Sequence, residues 1–182
     1  MLGAPTDERL IARAAKGSAG AWQTLVRRYE RRVYNYALRM VGHPDDAADL
    51  MQEIFMGAYR NLPGYRGDGA FPAWLFRIAS FRCTDYLRRR RFQDSFDETD
   101  GTALSPDDPV MSVLATHANR EITAALARLP ADQRHVLELK FFQGFTFDDI
   151  AGQLGISPNT AKTRLYAALR KLRQDEELRD AL

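Results

Sequence analysis

Apolar residues recur along this chain at three- and four-residue intervals. No stretch alternates apolar and polar positions for long enough to force a strand, so the pattern predicts an all-α fold. Thr6 can cap a short helix reaching about Ala15, and Lys16-Gly17-Ser18 breaks it. From 19 to 41, Trp22, Leu25, Val26, Tyr29, Val33, Tyr36, Ala37 and Met40 share one side of a long helix. Gly42-His43-Pro44-Asp45 is a stop followed by a start. The next helix, 45–61, turns Ala47, Leu50, Met51, Ile54, Phe55 and Ala58 inward. The Pro and Gly content of 62–69 marks a loop, and a helix over about 71–90 follows with Pro72 in its first turn.

The helical period then lapses. From 92 to about 110 the chain is acidic and carries Gly101, Pro106 and Pro109, which reads as a linker. The period resumes over 111–129 and again over 132–143, with Pro130 between them and a turn at 144–146. The expected architecture is two small helical domains, 1–92 and 111–182, joined by a flexible acidic linker at 93–110. A helix-turn-helix is expected in the second domain. Thr146 caps its first helix, with Asp149 three residues on in an approximate capping box. Gly155 allows the turn, Ser157 caps the second helix, and Pro158 takes its first position.

Composition narrows the classes. A length of 182 residues allows one ordinary domain or two small ones, and 45% hydrophobic with 27% charged residues suits a folded soluble protein. The apolar runs fall far short of the ~18–20 residues that span a bilayer, so no membrane insertion is expected. The first ten residues carry Asp7, Glu8 and Arg9 and do not resemble a secretory signal. A single cysteine, Cys83, excludes an internal disulfide framework and a Cys-rich zinc site, and a cytoplasmic location is expected.

The net charge of +2 hides a strong segregation. Arg77, Arg82, Arg88, Arg89, Arg90 and Arg91 face a lone acid, Asp85, over 77–91, while 92–117 holds six acids and no Lys or Arg. A basic block is the usual footprint of a polyanion partner. Within it, Arg77, Arg82, Phe76 and Phe81 mix cationic and aromatic groups, as single-strand binders do, and the preceding loop with Tyr65 and Arg66 can shape a pocket for an unstacked base. Asp46, Asp49 and Glu53 share a helical face edged by Leu50 and Phe55, which suits a basic helical partner. In the helix-turn-helix, Asn159, Thr160, Lys162, Thr163 and Arg164 lie at the end that enters a major groove, with Arg170, Lys171 and Arg173 further along.

No catalytic constellation emerges. His43, His117 and His135 stand far apart, no Gly-rich phosphate loop follows a strand, and neither a cofactor nor a metal is called for. A helix-turn-helix regulator with a sensing or dimerising first half would account for 130–173. It would not account for the acidic helix, the basic-aromatic helix and the acidic linker together. A plain interaction bundle would leave the arginine run and the capped turn unexplained.

In this order the segments resemble the extracytoplasmic-function group of bacterial sigma factors. The 45–61 stretch is similar to the part of sigma region 2 that grips core RNA polymerase. The 71–91 stretch is similar to the helix that recognises and melts the −10 element, and the segment from Leu126 to Arg173 to region 4, which binds the −35 element. The resemblance implies that Asp46, Asp49, Leu50, Gln52, Glu53 and Phe55 contact polymerase. It puts Tyr65 and Arg66 in the loop for a flipped −10 base, and Arg77, Phe81, Arg82, Asp85, Arg88 and Arg89 along the −10 helix. Asn159, Thr160, Lys162, Thr163, Arg164 and Arg170 fall on the −35 helix. Core RNA polymerase and promoter DNA are the implied partners, with an anti-sigma factor as a further one, and the acidic linker would thread the cationic channel of polymerase. The family often has Arg-Asn after Ile-Ala where this chain has Ser80-Phe81.

Overall fold

A computed structural model describes residues 5–67, 69–94 and 117–174. Most of the linker expected at 93–110 and the start of the helix expected at 111 lie outside these residues. The first half holds α1 (Asp7–Ala15), α2 (Ala19–Val41), α3 (Pro44–Asn61) and α4 (Phe71–Asp94), with a 3-10 turn at Leu62–Gly64. The second holds α5 (His117–Ala127), α6 (Ala131–Leu137), α7 (Phe147–Leu154) and α8 (Pro158–Gln174). A π turn, Glu138–Phe142, extends α6.

Local chemistry sets the breaks. The Ser18 side chain accepts the Ala21 N–H at the start of α2. Gly42 ends that helix with a φ of 79°, a left-handed conformation that side chains resist, and returns its N–H to the Leu38 carbonyl at 2.8 Å. α1 and α3 pack on α2, and α4 packs on α3. Leu25, Tyr29, Val33, Ile54, Leu75 and Phe76 are buried among them. In the second half α8 lies against α6 and α7 through Ala161, Leu165 and Ala168.

The two halves are docked. α5 and α6 pack on α2, while α6 and α7 pack on α4. The consequence is plain in α2, where Val33, Tyr34, Tyr36, Ala37, Leu38, Arg39 and Met40 are all buried, far beyond a single helical face. The seam is strongly polar. The Arg39 guanidinium donates to both carboxylate oxygens of Glu138, at 2.7 and 2.8 Å. Gln143 donates to Glu138 at 3.0 Å, and Arg32 donates to the Gln143 side-chain oxygen at 3.1 Å. Tyr36 joins His135 on one side and Ser80 on the other. Arg134 reaches across to the carbonyl of Met40. Burial raises the Glu138 carboxyl, and the Arg39 guanidinium opposes that shift. Burial, reinforced by the charges of Arg134 and Arg164, pushes His135 down to about 4.

Candidate nucleic-acid interface

α4 has two distinct faces. Leu75, Phe76, Ala79, Ser80 and Cys83 are buried. Arg77, Phe81, Thr84 and Arg88 recur at helical spacing on the opposite side and are all exposed. Phe81 is 68% exposed, an unusual position for a phenyl ring outside an interface. Arg82 is half-buried and lies 4.0 Å from Glu53. Asp85 binds Arg88 at 2.6 Å and Arg89 at 2.7 Å, which orients two members of the arginine run. Phe76 corrects the sequence reading. It is fully buried, edge-on to Tyr36 and Phe145, with the Arg32 guanidinium 5.3 Å from its ring centre.

Before α4, Tyr65 packs its ring on Phe71 and Trp74 and donates its hydroxyl to the Gly69 carbonyl at 2.8 Å. This fixes the loop beside the first turn of α4. Arg66 is exposed next to it.

The acidic face of α3 is only partly as expected. Asp46 accepts a hydrogen bond from Tyr86 at 2.6 Å and lies 3.6 Å from Arg90, so it is turned toward α4. Burial raises the Tyr86 hydroxyl, and the bond to Asp46 adds to the shift. Leu50 and Phe55 are buried in the core and offer a partner no surface. Asp49, Gln52 and Glu53 are exposed. Met56 joins them at 54% exposure, a position sequence reasoning passed over although it follows Gln52 and Glu53 at helical spacing.

The helix-turn-helix is capped as its residues dictate. Thr146 Oγ1 accepts the Asp149 N–H at 3.1 Å, and Asp149 accepts the Thr146 N–H at 2.9 Å. The Thr146 hydroxyl, which donates to the same carboxylate at 2.6 Å, and then the Thr146 N–H hold the Asp149 carboxyl below its usual range. Gly155 takes a φ of 66°, and Ser157 accepts the Thr160 N–H at 3.0 Å. Asn159, Lys162, Thr163 and Arg170 are exposed on α8. Tyr166 shares that side at 67% exposure and was missed by sequence reasoning, although it falls three and four residues beyond Thr163 and Lys162. Thr160 is half-buried with its hydroxyl against Ser157, and Arg164 is half-buried with Nε 3.2 Å from Asp132. Both therefore shape the start of α8 as well as bordering its exposed tip.

These surfaces present cations, amides and an uncovered aromatic ring at two places, with an acidic and thioether-bearing face at a third. Among the described residues there is no group of His, Cys, Asp and Glu suited to a metal ion, and no helix is long and apolar enough to cross a membrane.

Comparison with known proteins gives one consistent result. The family model for sigma-70 region 2 matches residues 25–93, and that for sigma-70 region 4 matches residues 119–172. The RNA polymerase sigma-H factor of Pseudomonas aeruginosa is 32% identical over 178 residues, covering 92% of each chain. The extracytoplasmic-function sigma-E factor of Escherichia coli is 31% identical over 173 residues, covering 90% of each. Among solved structures, CnrH in complex with the cytosolic domain of CnrY aligns with a TM-score of 0.66 at 27% identity, covering 96% of this chain and 97% of that one. RpoE of Bartonella quintana, bound to the anti-sigma factor NepR, shares the fold with a TM-score of 0.68 at 24% identity, over 84% of this chain and 94% of that one.

Proposed function

The chain belongs to the extracytoplasmic-function group of the sigma-70 family, and on that premise we propose how its surfaces divide the work. As an RNA polymerase sigma factor it binds core polymerase and directs it to particular promoters. The exposed side of α3, with Asp49, Gln52, Glu53 and Met56, docks a basic helical element of polymerase. The outward row Arg77, Phe81 and Arg88, with Arg82 and Arg89 beside it and the Tyr65–Arg66 loop ahead of it, takes the −10 element. There the phenyl ring stacks on an unpaired base and the guanidinium groups meet phosphates. Asn159, Lys162, Thr163 and Arg170 of α8 enter the major groove of the −35 element, while Thr160 and Arg164 steady the tip.

We draw the domain boundaries at 1–92 and 111–182, with 93–110 connecting them. The chain performs no covalent chemistry of its own, since polymerase carries that out, and it acts in the cytoplasm. We extend its partners to an anti-sigma factor, the kind of protein that RpoE binds in its complex with NepR.

One observation carries this division: an uncovered Phe81 between two exposed arginines on α4, on the same chain as a capped helix with a polar, cationic tip. Run-off transcription from a promoter library with core polymerase tests it. Substitution of Phe81 or Arg88 is expected to impair strand opening with −35 recognition intact, and substitution of Asn159 or Lys162 to do the reverse. Equal loss of both steps in all four variants would contradict the assignment.

A further inference from the structure

Phe81 and Phe92 are the two large apolar side chains of α4 that stand exposed among the described residues, at 68% and 65%. They are eleven residues apart. At 3.6 residues per turn that is three turns with a residual rotation of about 20°, so both rings leave the helix on one side. At 1.5 Å per residue they stand about 16 Å apart along the axis. Arg77, Thr84 and Arg88 are exposed on the same side. From its first turn to its end, the outward row of α4 therefore carries a cation, a ring, a second cation and a second ring.

The frame around each ring tells what it meets. Arg88 and Arg89 precede Phe92 by four and three residues, and their side chains are 69% and 60% exposed. Arg77 precedes Phe81 by four. Asp85, between the rings, is already paired with Arg88 and Arg89 and adds no unpaired negative charge to the row. The centre of a protein–protein patch is depleted of charge. Uncovered rings spaced between guanidinium groups instead match a single strand, in which base faces and phosphates alternate. A closed duplex hides those faces within its stack. One base cannot serve both rings, because 16 Å is about five steps of a strand at the stacked rise of 3.4 Å, and fewer when the strand is drawn out.

We propose that Phe92 is a second base-stacking site, which with Arg88 and Arg89 carries a single strand along α4 up to about five nucleotides beyond the base on Phe81. This rests on the assignment of α4 to the −10 element and extends it. The helix becomes a two-point track for the opened strand, with the Tyr65–Arg66 loop at one end and Phe92 at the other. A base held on one ring puts the next bases at high effective concentration beside the other, so a strand that spans both is held more tightly than either ring would hold it.

The experiment uses the full chain and two labelled strands of about 12 nucleotides, within the site sizes of single-strand binders. One is oligothymidylate, and the other is the matching abasic strand, which keeps the phosphates and lacks the bases. Anisotropy at one low salt concentration reads affinity, and circular dichroism reads helix content. Wild type is expected to prefer thymidylate. Phe92→Ala is expected to lose about tenfold on thymidylate and nothing on the abasic strand, with helix content unchanged. Phe92→Trp should retain wild-type affinity, and its added emission should be quenched by thymidylate but not by the abasic strand.

A wild type that binds both strands alike would overturn the second site, as would a Phe92→Ala loss of equal size on both. A Phe92→Ala variant unchanged on thymidylate would overturn it too, and weaker binding of that variant to core polymerase would then give the ring to a protein. Phe81→Ala keeps the two assignments apart. If it leaves thymidylate binding untouched while Phe92→Ala lowers it, the role of Phe81 fails and the Phe92 site stands; the reverse result removes Phe92 alone.

Discussion

Asp46 and Tyr86 are joined by a hydrogen bond of 2.6 Å in which the phenol donates to the carboxylate. That bond, with Arg90 3.6 Å from the same oxygen, ties α3 to α4 and separates Asp46 from its neighbours Asp49 and Glu53. Asp46 serves the fold, while Asp49 and Glu53 face outward, Glu53 with the Arg82 guanidinium 4.0 Å away. Asp46→Ala is expected to lower stability by about 1 kcal/mol, discounted for its partial exposure. Asp49→Lys is expected to leave stability within about 0.5 kcal/mol of wild type and to weaken polymerase binding strongly. Urea denaturation alongside a polymerase pull-down separates the two, and a large stability loss in Asp49→Lys would contradict its exposed placement.

Two phenylalanines on α4 should behave as opposites. Phe76→Ala removes a fully buried ring and is expected to cost about 3–5 kcal/mol. Phe81→Ala removes an exposed ring, so the unfolding midpoint should hardly move. Affinity for single-stranded −10 DNA should fall by about 1–3 kcal/mol. Thermal melts and fluorescence anisotropy on a labelled oligonucleotide read both quantities.

On α8, Lys162→Ala is expected to weaken binding to a −35 duplex and to reduce the slope of log affinity against log salt by about 0.9. Asn159→Ala should leave that slope nearly intact and relax the preference for one base, at roughly 1–3 kcal/mol of discrimination. A salt titration on matched and mismatched duplexes distinguishes the two. A salt slope unchanged in Lys162→Ala would remove this residue from the phosphate contacts.

His135 makes the docked arrangement pH-dependent. Docked against α2, its imidazole is sealed from water and protonates only near 4, and undocking rehydrates the ring and raises that value toward the ordinary 6.5. Above pH 6.5 the ring is neutral in both states and docking is at full strength. As pH falls from 6.5 toward 4, the undocked state takes up the proton first and docking weakens, with no further loss from this group below 4. The neighbouring charges of Arg134 and Arg164 also oppose a cationic ring, but both belong to the second half and stay beside His135 when the halves part, so burial alone carries the dependence. Scattering profiles between pH 7.5 and 4.5 are expected to expand on acidification, and His135→Gln is expected to flatten that response.

What could be read from the sequence was what neighbouring residues decide. Thr146, Asp149, Gly155, Ser157 and Pro158 specify the turn before α8 within a dozen positions, and each does there what its chemistry favours. The periodicity likewise placed Leu50 and Phe55 inward, although the family resemblance assigned them to a partner surface. Long-range pairing was not legible. Nothing near Asp46 announces Tyr86, and nothing near Phe76 announces Phe145. Arg39 carried the one available signal, a charge inside the otherwise apolar run of Tyr36, Ala37, Leu38 and Met40, which requires a counter-ion from elsewhere. Its partner stands 99 positions away, beyond the range of any local pattern.

Phe76 and Phe145 meet edge-on at 5.9 Å, and the apolar cluster they belong to extends from Leu10 to Ala168. Cutting the chain in its acidic middle would therefore not release two finished modules. Each fragment would carry surface that the intact chain keeps dry, and would tend to self-associate or to capture the missing half from a second molecule. Mixed in equal amounts, the two fragments should recombine without a covalent connection and remain in solution better than either does alone.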